Sequence, residues 1–236
     1  MRLFYSSQIS NGECLLSEEE SKHLAQVLRL EPGDEVVVVD GCGGWHKGSV
    51  NLAHKKKSVL TIEQSKLDFG KRSFKLNLVI APTKNLSRFE WFLEKATEIG
   101  IDTISPIFTK NSERTVYKID RGQKVVLSAM KQSLKAYLPS LEEPLSLSQY
   151  LDSKPDGQSF VAHCNEGDKA SLLSSIGNSQ NLTIFIGPEG DFTPEEVDQI
   201  KAWGAKEVTL GDQRMRTETA ALASVMIANI ANGNLG

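Results

Sequence analysis

The pattern of apolar and polar positions divides the chain into two parts. In the first, LSEEESKHLAQVLRL predicts one helix, because Leu24, Val27 and Leu28 recur at helical intervals and Ser17 and Glu20 have capping-box spacing. Three β-rich runs follow, EVVVVD, WHKGSVNLA and SVLTIEQ, separated by glycine-rich or lysine-rich turns. They predict a meander or a small barrel.

The polar, glycine-bearing segment KLDFGKRS marks a boundary, so we place one domain at 1–72 and another at 73–236. Beyond it, FKLNLVIAP, DTISPIF, SFVAHC, NLTIFIG and EVTLG predict strands, each followed by a helix. This alternation predicts an α/β domain with a mostly parallel sheet and helices on both faces. Ligands of such sheets bind at the carboxyl ends of the strands.

Composition narrows the class of protein. The chain has 39% hydrophobic and 24% charged residues, and no apolar run approaches the roughly 18 residues of a membrane span. Cys14, Cys42 and Cys164 are far apart, and the start MRLFYSSQIS lacks a secretion signal, so we expect a reducing cytoplasm. No Cys or His pair has the close spacing of a zinc site, and we expect no metal.

Charge is unevenly distributed along the chain. The formal net charge of −3 argues mildly against a nucleic-acid partner, yet residues 110–135 hold seven basic and two acidic side chains. If GQKVVLSAMKQSLKAYL is helical, Lys124, Lys131 and Lys135 share one face that either contacts phosphates or is merely solvated. The segment from Lys84 to Arg88 and the run 55–57 are further candidates for nucleic-acid contact.

The loop in LTIFIGPEGDFTPEEV contains two glycines. Gly187 and Gly190 allow positive φ and close backbone approach, and TPEE after them predicts a capped helix start. Such a loop is often a phosphate site. Here Glu189 and Asp191 oppose a phosphate and the P-loop lysine is missing, so a ligand with hydroxyls or positive charge fits better. The alternative is a tight turn with nothing bound.

A second loop, LGDQRMRTETAALASV, follows the next strand along the chain. Arg214 and Arg216 stand two residues apart, before a helix start rich in threonine and alanine that allows a backbone close by. The arginines can serve a ligand, or they can simply pair with Glu189 or Glu218.

FIGPEGDFTPEE and LGDQRMRTETA, preceded by FEWFLEKATEIGIDTISPIFTKNSE and MRLFY…HLAQVLRLEPGDEVVVVDG, give the whole chain a family resemblance. It resembles the RsmE family of ribosomal RNA methyltransferases in the SPOUT superfamily. The resemblance implies a PUA-like β-barrel, then a parallel-sheet domain with a trefoil knot that binds S-adenosylmethionine. It also implies methylation of N3 of a uridine in small-subunit ribosomal RNA by a homodimer.

Site residues are carried over from the matching motifs. Arg216 is the candidate to stabilise charge on the uracil, and Glu189 or Glu218 either acts as base or serves as a structural partner. The residues implied to line the cofactor are Ile186, Gly187, Gly190, Leu210, Gly211, Met215, Thr219 and Ala220. The candidate RNA contacts are Lys84, Arg88, Lys124, Lys131 and Lys135.

Two departures and three rival functions stay open. The family pattern Glu-Gln-Ser-x-Arg reads KQSLK at 131–135 here, and Asp191 replaces a frequent second glycine. The rivals are a SPOUT enzyme acting on transfer RNA or a ribose hydroxyl, a non-catalytic RNA-binding protein, and a nucleotide-binding α/β protein. The N-terminal helix argues against the first, the intact glycines and Arg216 against the second, and the missing P-loop lysine against the third.

Overall fold

The computed structural model describes residues 2–177 and 180–233 of the chain. They form two compact units, one of residues 2–71 with 130–138 and one of residues 72–129 with 139–177 and 180–233. No sequence pattern indicated that Met130–Leu138 is part of the first unit. Within the described residues, no helix is both long and apolar enough to cross a membrane.

The first unit contains a six-stranded sheet with the order β1-β4-β5-β6-β3-β2. Strands β1 and β4 pair in parallel, and the other neighbours are antiparallel. The three β-rich runs of the sequence are β4, β5 and β6, which confirms the predicted meander. The strands are β1 Leu3–Tyr5, β2 Ile9–Ser10, β3 Glu13–Leu15, β4 Glu35–Val39, β5 Trp45–Leu52 and β6 Val59–Lys66.

The N-terminal helix departs from its prediction after one turn. Helix α1, Glu18–Lys22, begins as expected, with the Ser17 hydroxyl accepting the Glu20 N–H at 3.2 Å. It continues as a π-helical segment, whose wider turn shifts the phase of the side chains. Leu24 is therefore buried, whereas Val27 is 65% and Leu28 39% exposed. The predicted single helix is therefore an α-helical turn followed by a π-helical one, and the helical spacing of the three residues does not mark one buried face.

The second unit is an α/β structure, as predicted, and every strand pairing in it is parallel. The sheet order is β10-β8-β7-β13-β11-β14-β12, with β9 also paired to β8. Its strands are β7 Lys75–Ile80, β8 Thr103–Phe108, β9 Ser140–Leu141, β10 Leu145–Ser146, β11 Gln158–Ala162, β12 Ala170–Ser171, β13 Asn181–Ile186 and β14 Lys206–Thr209. Its helices are α2 Leu86–Ile99, α3 Ile119–Gln132, α4 Leu147–Leu151, α5 Leu172–Ser175, α6 Pro194–Trp203 and α7 Thr217–Ala231.

The sheet order brings three loops to one edge. Strands β13 and β14 follow one another along the chain, but β11 lies between them in the sheet. Ala162 of β11 pairs with Ile186 on one side and with Val208 on the other. Because the three strands are parallel, the loops that leave their carboxyl ends are neighbours.

Helix α3 ends earlier than predicted, so the three lysines expected on one helical face do not all belong to the helix. The helix stops at Gln132, and Leu134 takes the left-handed conformation at φ 55. Lys135 therefore lies beyond the helix that carries Lys124 and Lys131. The prediction of one helical face shared by the three lysines is wrong.

Lys131 is also not a free surface cation. Its ammonium group pairs with the carboxylate of Glu20, whose residue is 7% exposed. The second oxygen of Glu20 has no hydrogen-bond partner among the described residues. Glu20 thus reaches Lys131 instead of completing the predicted capping box with Ser17.

We expect Lys131→Met to lower the free energy of unfolding by about 3 kcal/mol, because it leaves a buried carboxylate without its partner. Urea unfolding followed by circular dichroism measures the change. The double variant Glu20→Gln with Lys131→Met should lose less than the single variant, since no buried charge remains. Equal losses in the two variants would contradict a stabilising role for this ion pair.

Candidate functional site

A cavity of about 750 Å³ lies where the chain leaves β11, β13 and β14. Its floor includes Ala162, Ile186 and Val208, the three residues that align across these strands. Its walls are the loops that follow the strands, together with the start of α7. The volume is that of a site for a small molecule or cofactor.

In the loop after β13, the glycines are needed because neighbouring atoms leave little space for a Cβ, and not because their φ is positive. Neither Gly187 nor Gly190 has the positive φ that the sequence suggested, and Asp191 takes it instead at φ 61. A Cβ on Gly187 would lie 3.1 Å from the backbone nitrogen of Phe192, and one on Gly190 would lie 3.0 Å from Cβ of Asn111. The sequence predicted both positive φ and close approach of other atoms to these glycines. Only the close approach is observed.

The helix after this loop begins as predicted. The Thr193 hydroxyl accepts the Glu196 N–H at 3.3 Å, and the Glu196 carboxylate accepts the Thr193 N–H at 2.9 Å. Pro194 occupies the first turn of α6. The capping box fixes where the loop ends, so the conformation of the cavity wall is set from the helix side.

Glu189 lines the cavity and is anchored from behind. Its Oε1 accepts the N–H of Lys84, in the loop after β7, at 2.9 Å. Arg114 donates to the carbonyl of Lys84 at 2.7 Å, which braces the same loop. The Lys84 ammonium group pairs with Glu113, and this hydrogen bond raises the pKa of Lys84.

The loop after β14 presents two arginines. Gly211 has a φ of 129, which residues other than glycine rarely adopt. Gly211, Arg214 and Arg216 all line the cavity. Arg216 is the N-cap residue of α7, but its side chain forms no capping bond. Within residues 2–177 and 180–233, neither guanidinium forms an ion pair, so the alternative in which Glu189 or Glu218 neutralises them is not observed.

Glu218 lies elsewhere. It is 7% exposed, its Oε1 is 3.8 Å from Nε of Arg88, and its Oε2 has no partner among the described residues. It is not among the residues that line the cavity.

The structure thus brings most of the predicted site residues together. Gly190 and Thr219, like Glu218, lie outside the lining of the cavity. The predicted residues in the lining are Ile186, Gly187, Glu189, Leu210, Gly211, Met215, Arg216 and Ala220. Their roles stay predictions.

Sequence reasoning missed the loop after β11, which forms the middle wall. His163, Cys164 and Lys169 of this loop line the cavity. Lys169 Nζ donates to the carbonyl oxygens of His163 at 2.8 Å and Asn165 at 2.6 Å, which closes the loop on itself. The rule that ligands bind at the carboxyl ends of strands applied to SFVAHC as well. Only the order of strands in the sheet shows that the end of this strand lies between the ends of β13 and β14.

His163 links the loop to β14. Its side chain is 1% exposed, and Nε2 lies 3.0 Å from Oε1 of Glu207. Burial lowers the pKa of His163, Lys169 lowers it further, and the hydrogen bond with Glu207 opposes both. The Glu207 carboxylate in turn has its pKa lowered, chiefly by its hydrogen bond with Lys201. The described residues contain no cluster of His, Cys, Asp or Glu that could hold a metal ion.

We expect the lowered pKa of His163 to make the protein less stable in mild acid. Below about pH 6.5 the unfolded chain binds a proton that the buried imidazole resists, so the free energy of unfolding falls until the folded form also protonates. Urea unfolding at several pH values between about 7.5 and 5 measures this slope. His163→Asn should show a flatter slope than the wild type, and parallel slopes would contradict the assignment.

Comparison with known proteins gives consistent matches over both units. The RNA methyltransferase domain family matches residues 71–229, and the RNA methyltransferase PUA domain family matches residues 16–63. Ribosomal RNA small subunit methyltransferase E of Synechocystis is 31% identical over 225 residues, or 90% of this chain and 71% of the relative. The protein of the same name from Rickettsia conorii is 29% identical, over 95% of this chain and 93% of its own.

Solved structures agree over the full length. A probable rRNA methyltransferase from Porphyromonas gingivalis superposes with a TM-score of 0.90 at 31% identity, covering 99% of both chains. Ribosomal RNA small subunit methyltransferase E from Neisseria gonorrhoeae, bound to S-adenosyl methionine, gives 0.84 at 26% identity, covering 98% of this chain and 97% of that one. With the family match over 71–229, these relatives show that the chain belongs to the RsmE family of ribosomal RNA small-subunit methyltransferases.

Proposed function

We propose that this protein transfers the methyl group of S-adenosylmethionine to N3 of a uridine in 16S ribosomal RNA. The observation that carries the proposal is the cavity at the ends of β11, β13 and β14, with Arg214 and Arg216 on its wall and no ion-pair partner for either among the described residues. Membership of a family whose named members act on small-subunit ribosomal RNA supports the choice of substrate.

The cavity suits S-adenosylmethionine in size and in chemistry. About 750 Å³ accommodates a nucleoside carrying an amino-acid chain. Glu189, Asp191 and Asp212 in the lining suit hydroxyls and positive charge, and they balance the three cations of the lining, so the cavity lacks the excess of positive charge that a triphosphate needs. We propose that the cofactor is held by Ile186, Gly187, Leu210, Gly211, Met215 and Ala220. When bound, S-adenosylmethionine supplies an electrophilic methyl group.

The side chains around the uracil must then promote loss of the N3 proton and stabilise the charge that results. Its N3 carries a proton at neutral pH, and loss of that proton places negative charge on N3 and the two carbonyl oxygens. We propose that Arg216, whose guanidinium has no ion-pair partner among the described residues, stabilises this charge. N3 is on the Watson–Crick edge, so the uridine must be unpaired or turned out of a helix.

Glu189 is the better placed of the two candidate bases. It lines the cavity, and the bond from the Lys84 N–H to Oε1 leaves Oε2 able to accept the N3 proton. Glu218 is buried beside Arg88, so we propose that it supports the packing of α7 against α2 instead. Gly190 and Thr219 would likewise support the loop and the helix start.

For RNA binding, most of the candidate cations already have partners. Lys84 pairs with Glu113, Arg88 with Glu218, and Lys131 with Glu20. Lys124 is exposed on α3, and we propose that it contacts a phosphate. The N-terminal domain, residues 1–72 in our assignment, would bind RNA alongside it as a PUA-like module.

Two further family properties are part of the proposal. We expect a trefoil knot in the second unit, and the insertion of β13 between β7 and β11 is compatible with a threaded chain. We also expect the protein to act in the cytoplasm, where its ribosomal substrate is found.

A homodimer is supported by an apolar stripe on α7. Leu222, Met226 and Ile230 recur at helical spacing, and Met226 is 38% and Ile230 50% exposed. Leu173 of the neighbouring helix α5 is 52% exposed. A helix that is apolar on its outer side as well as its inner side gains stability when another surface covers it. We propose that a second copy of the chain does so.

We expect Met226→Lys to convert the dimer to a monomer, because it places a charge within the apolar stripe. Size-exclusion chromatography with light scattering gives the mass. Leu52→Lys, at a position 49% exposed in the first unit, is the matched control and should remain dimeric. A monomeric wild type at micromolar concentration would refute the dimer.

The catalytic proposal is tested by methylation of small subunits and of naked ribosomal RNA, with the modified nucleoside identified by mass spectrometry. We expect 3-methyluridine with the wild type, and Arg216→Ala to reduce turnover at least about 100-fold. Its affinity for S-adenosylmethionine should stay within a few-fold, since Arg216 acts on the uracil. Arg216→Lys should restore part of the activity. Full activity of Arg216→Ala would remove Arg216 from the mechanism.

A further inference from the structure

Asp191 occupies an unfavourable backbone conformation at the wall of the cavity. Its φ of 61 lies in the left-handed region, which glycine adopts freely and a residue with a Cβ adopts at a cost. Its side chain is half-buried and is part of the cavity lining. Such a conformation persists where surrounding contacts hold it in place.

Those contacts come from three directions. Oδ2 accepts the N–H of Cys164 at 2.7 Å, and Oδ1 accepts the N–H of Phe192 at 2.8 Å. On the backbone, the carbonyl oxygen accepts the side-chain amide of Asn111 at 3.0 Å. Hydrogen bonds from N–H groups to a carboxylate are shorter and stronger than those to neutral acceptors. The carboxylate is thus fixed in direction as well as position.

The bond to Cys164 connects two walls of the cavity. Asp191 belongs to the loop after β13, and Cys164 to the loop after β11. In the chain as described, 2–177 and 180–233, the hydrogen bonds that join these loops beyond their paired strands run between Asp191 and Cys164. The loop after β11 is itself held closed by Lys169, so a single link positions it as a whole.

We infer that Asp191 is a positioning residue, which sets the separation of these two walls and thereby shapes the cavity for the cofactor. The inference rests on the proposed function, in that this cavity receives S-adenosylmethionine. The left-handed backbone directs the carboxylate across the cavity edge toward Cys164, and the bond that results offsets the cost of the conformation. Asp191 acts through the loop it holds and need not touch the reacting atoms.

The test compares Asp191→Gly with Asp191→Asn. Glycine keeps the left-handed backbone and removes the link, whereas asparagine tolerates that backbone and retains one oxygen to accept the Cys164 N–H. The control is Asp68→Gly, because Asp68 also has positive φ, at 53, and also accepts a hydrogen bond, from Tyr137, but belongs to the first unit. Calorimetry measures affinity for S-adenosylmethionine, and thermal unfolding measures stability without ligand.

We expect Asp191→Gly to weaken cofactor binding about tenfold, in line with the loss of a hydrogen bond to a charged group. Its melting temperature without ligand should stay within about 3 °C of the wild type, because relief of the backbone cost offsets part of the loss of the two carboxylate hydrogen bonds. Asp191→Asn should recover most of the affinity, and Asp68→Gly should bind as the wild type does. A loss of affinity shared equally by Asp191→Gly and Asp68→Gly would overturn the inference, as would wild-type affinity in Asp191→Gly.

Hydrogen exchange of peptides that contain Cys164 gives a readout independent of the cofactor. The Cys164 amide should exchange faster in Asp191→Gly than in the wild type, and equal rates would overturn the inference. If Asp191→Gly does not fold, the same comparison is made with Asp191→Ser, whose shorter side chain cannot span to Cys164. A wild type that fails to bind S-adenosylmethionine would refute the proposed function, while the exchange rates would still decide whether Asp191 holds the loop.

Discussion

The parallel pairing of β11 with both β13 and β14 is the constraint on which the site depends. Ala162 faces Ile186 on one side and Val208 on the other, so three strands end at the same level. Each strand is followed by one loop of the cavity wall. These are the glycine-bearing loop after β13, the loop with two arginines after β14, and the loop after β11 that is closed by Lys169. A cavity wall made from three loops can be rigid only if the sheet beneath it is, and β11 and β13 are largely buried, with Val208 as the buried residue of β14.

The charged side chains around the cavity are of two kinds. Some form hydrogen bonds that hold the loops in place, and others can interact with a ligand. Glu189 is anchored by the Lys84 N–H, Asp191 by two N–H groups, and Lys169 by two carbonyls. Arg214 and Arg216 have no ion-pair partner among the described residues, although both line the cavity. Unpaired cations beside fixed carboxylates are expected where a site must stabilise negative charge that develops on a substrate, because paired arginines would first have to be released.

Sequence reasoning succeeded where the determinants are local and failed where they are not. The alternation of strands and helices and the capping box at Thr193 follow from residues a few positions apart, and the structure contains both. The π-helical turn that exposes Val27 and the early end of α3 at Gln132 are not indicated by the local spacing of apolar residues. Nor is the pairing of Lys131 with Glu20, which lie 111 positions apart. At the site, both glycine-bearing loops were found from their motifs, whereas the wall after β11 required the order of strands in the sheet.

The balance of charge in the cavity separates the kinds of ligand that it can hold. The acidic side chains of the lining, Glu189, Asp191 and Asp212, are equal in number to the basic ones, Lys169, Arg214 and Arg216. A polyphosphate would need a clear excess of cations, and a strongly cationic ligand an excess of carboxylates. S-adenosylmethionine carries an ammonium group, a sulfonium and a carboxylate, so it presents both signs within one molecule. A lining with both signs can match such a ligand group by group, and the fixed positions of Asp191 and Lys169 mean that little reorganisation of the walls would accompany binding.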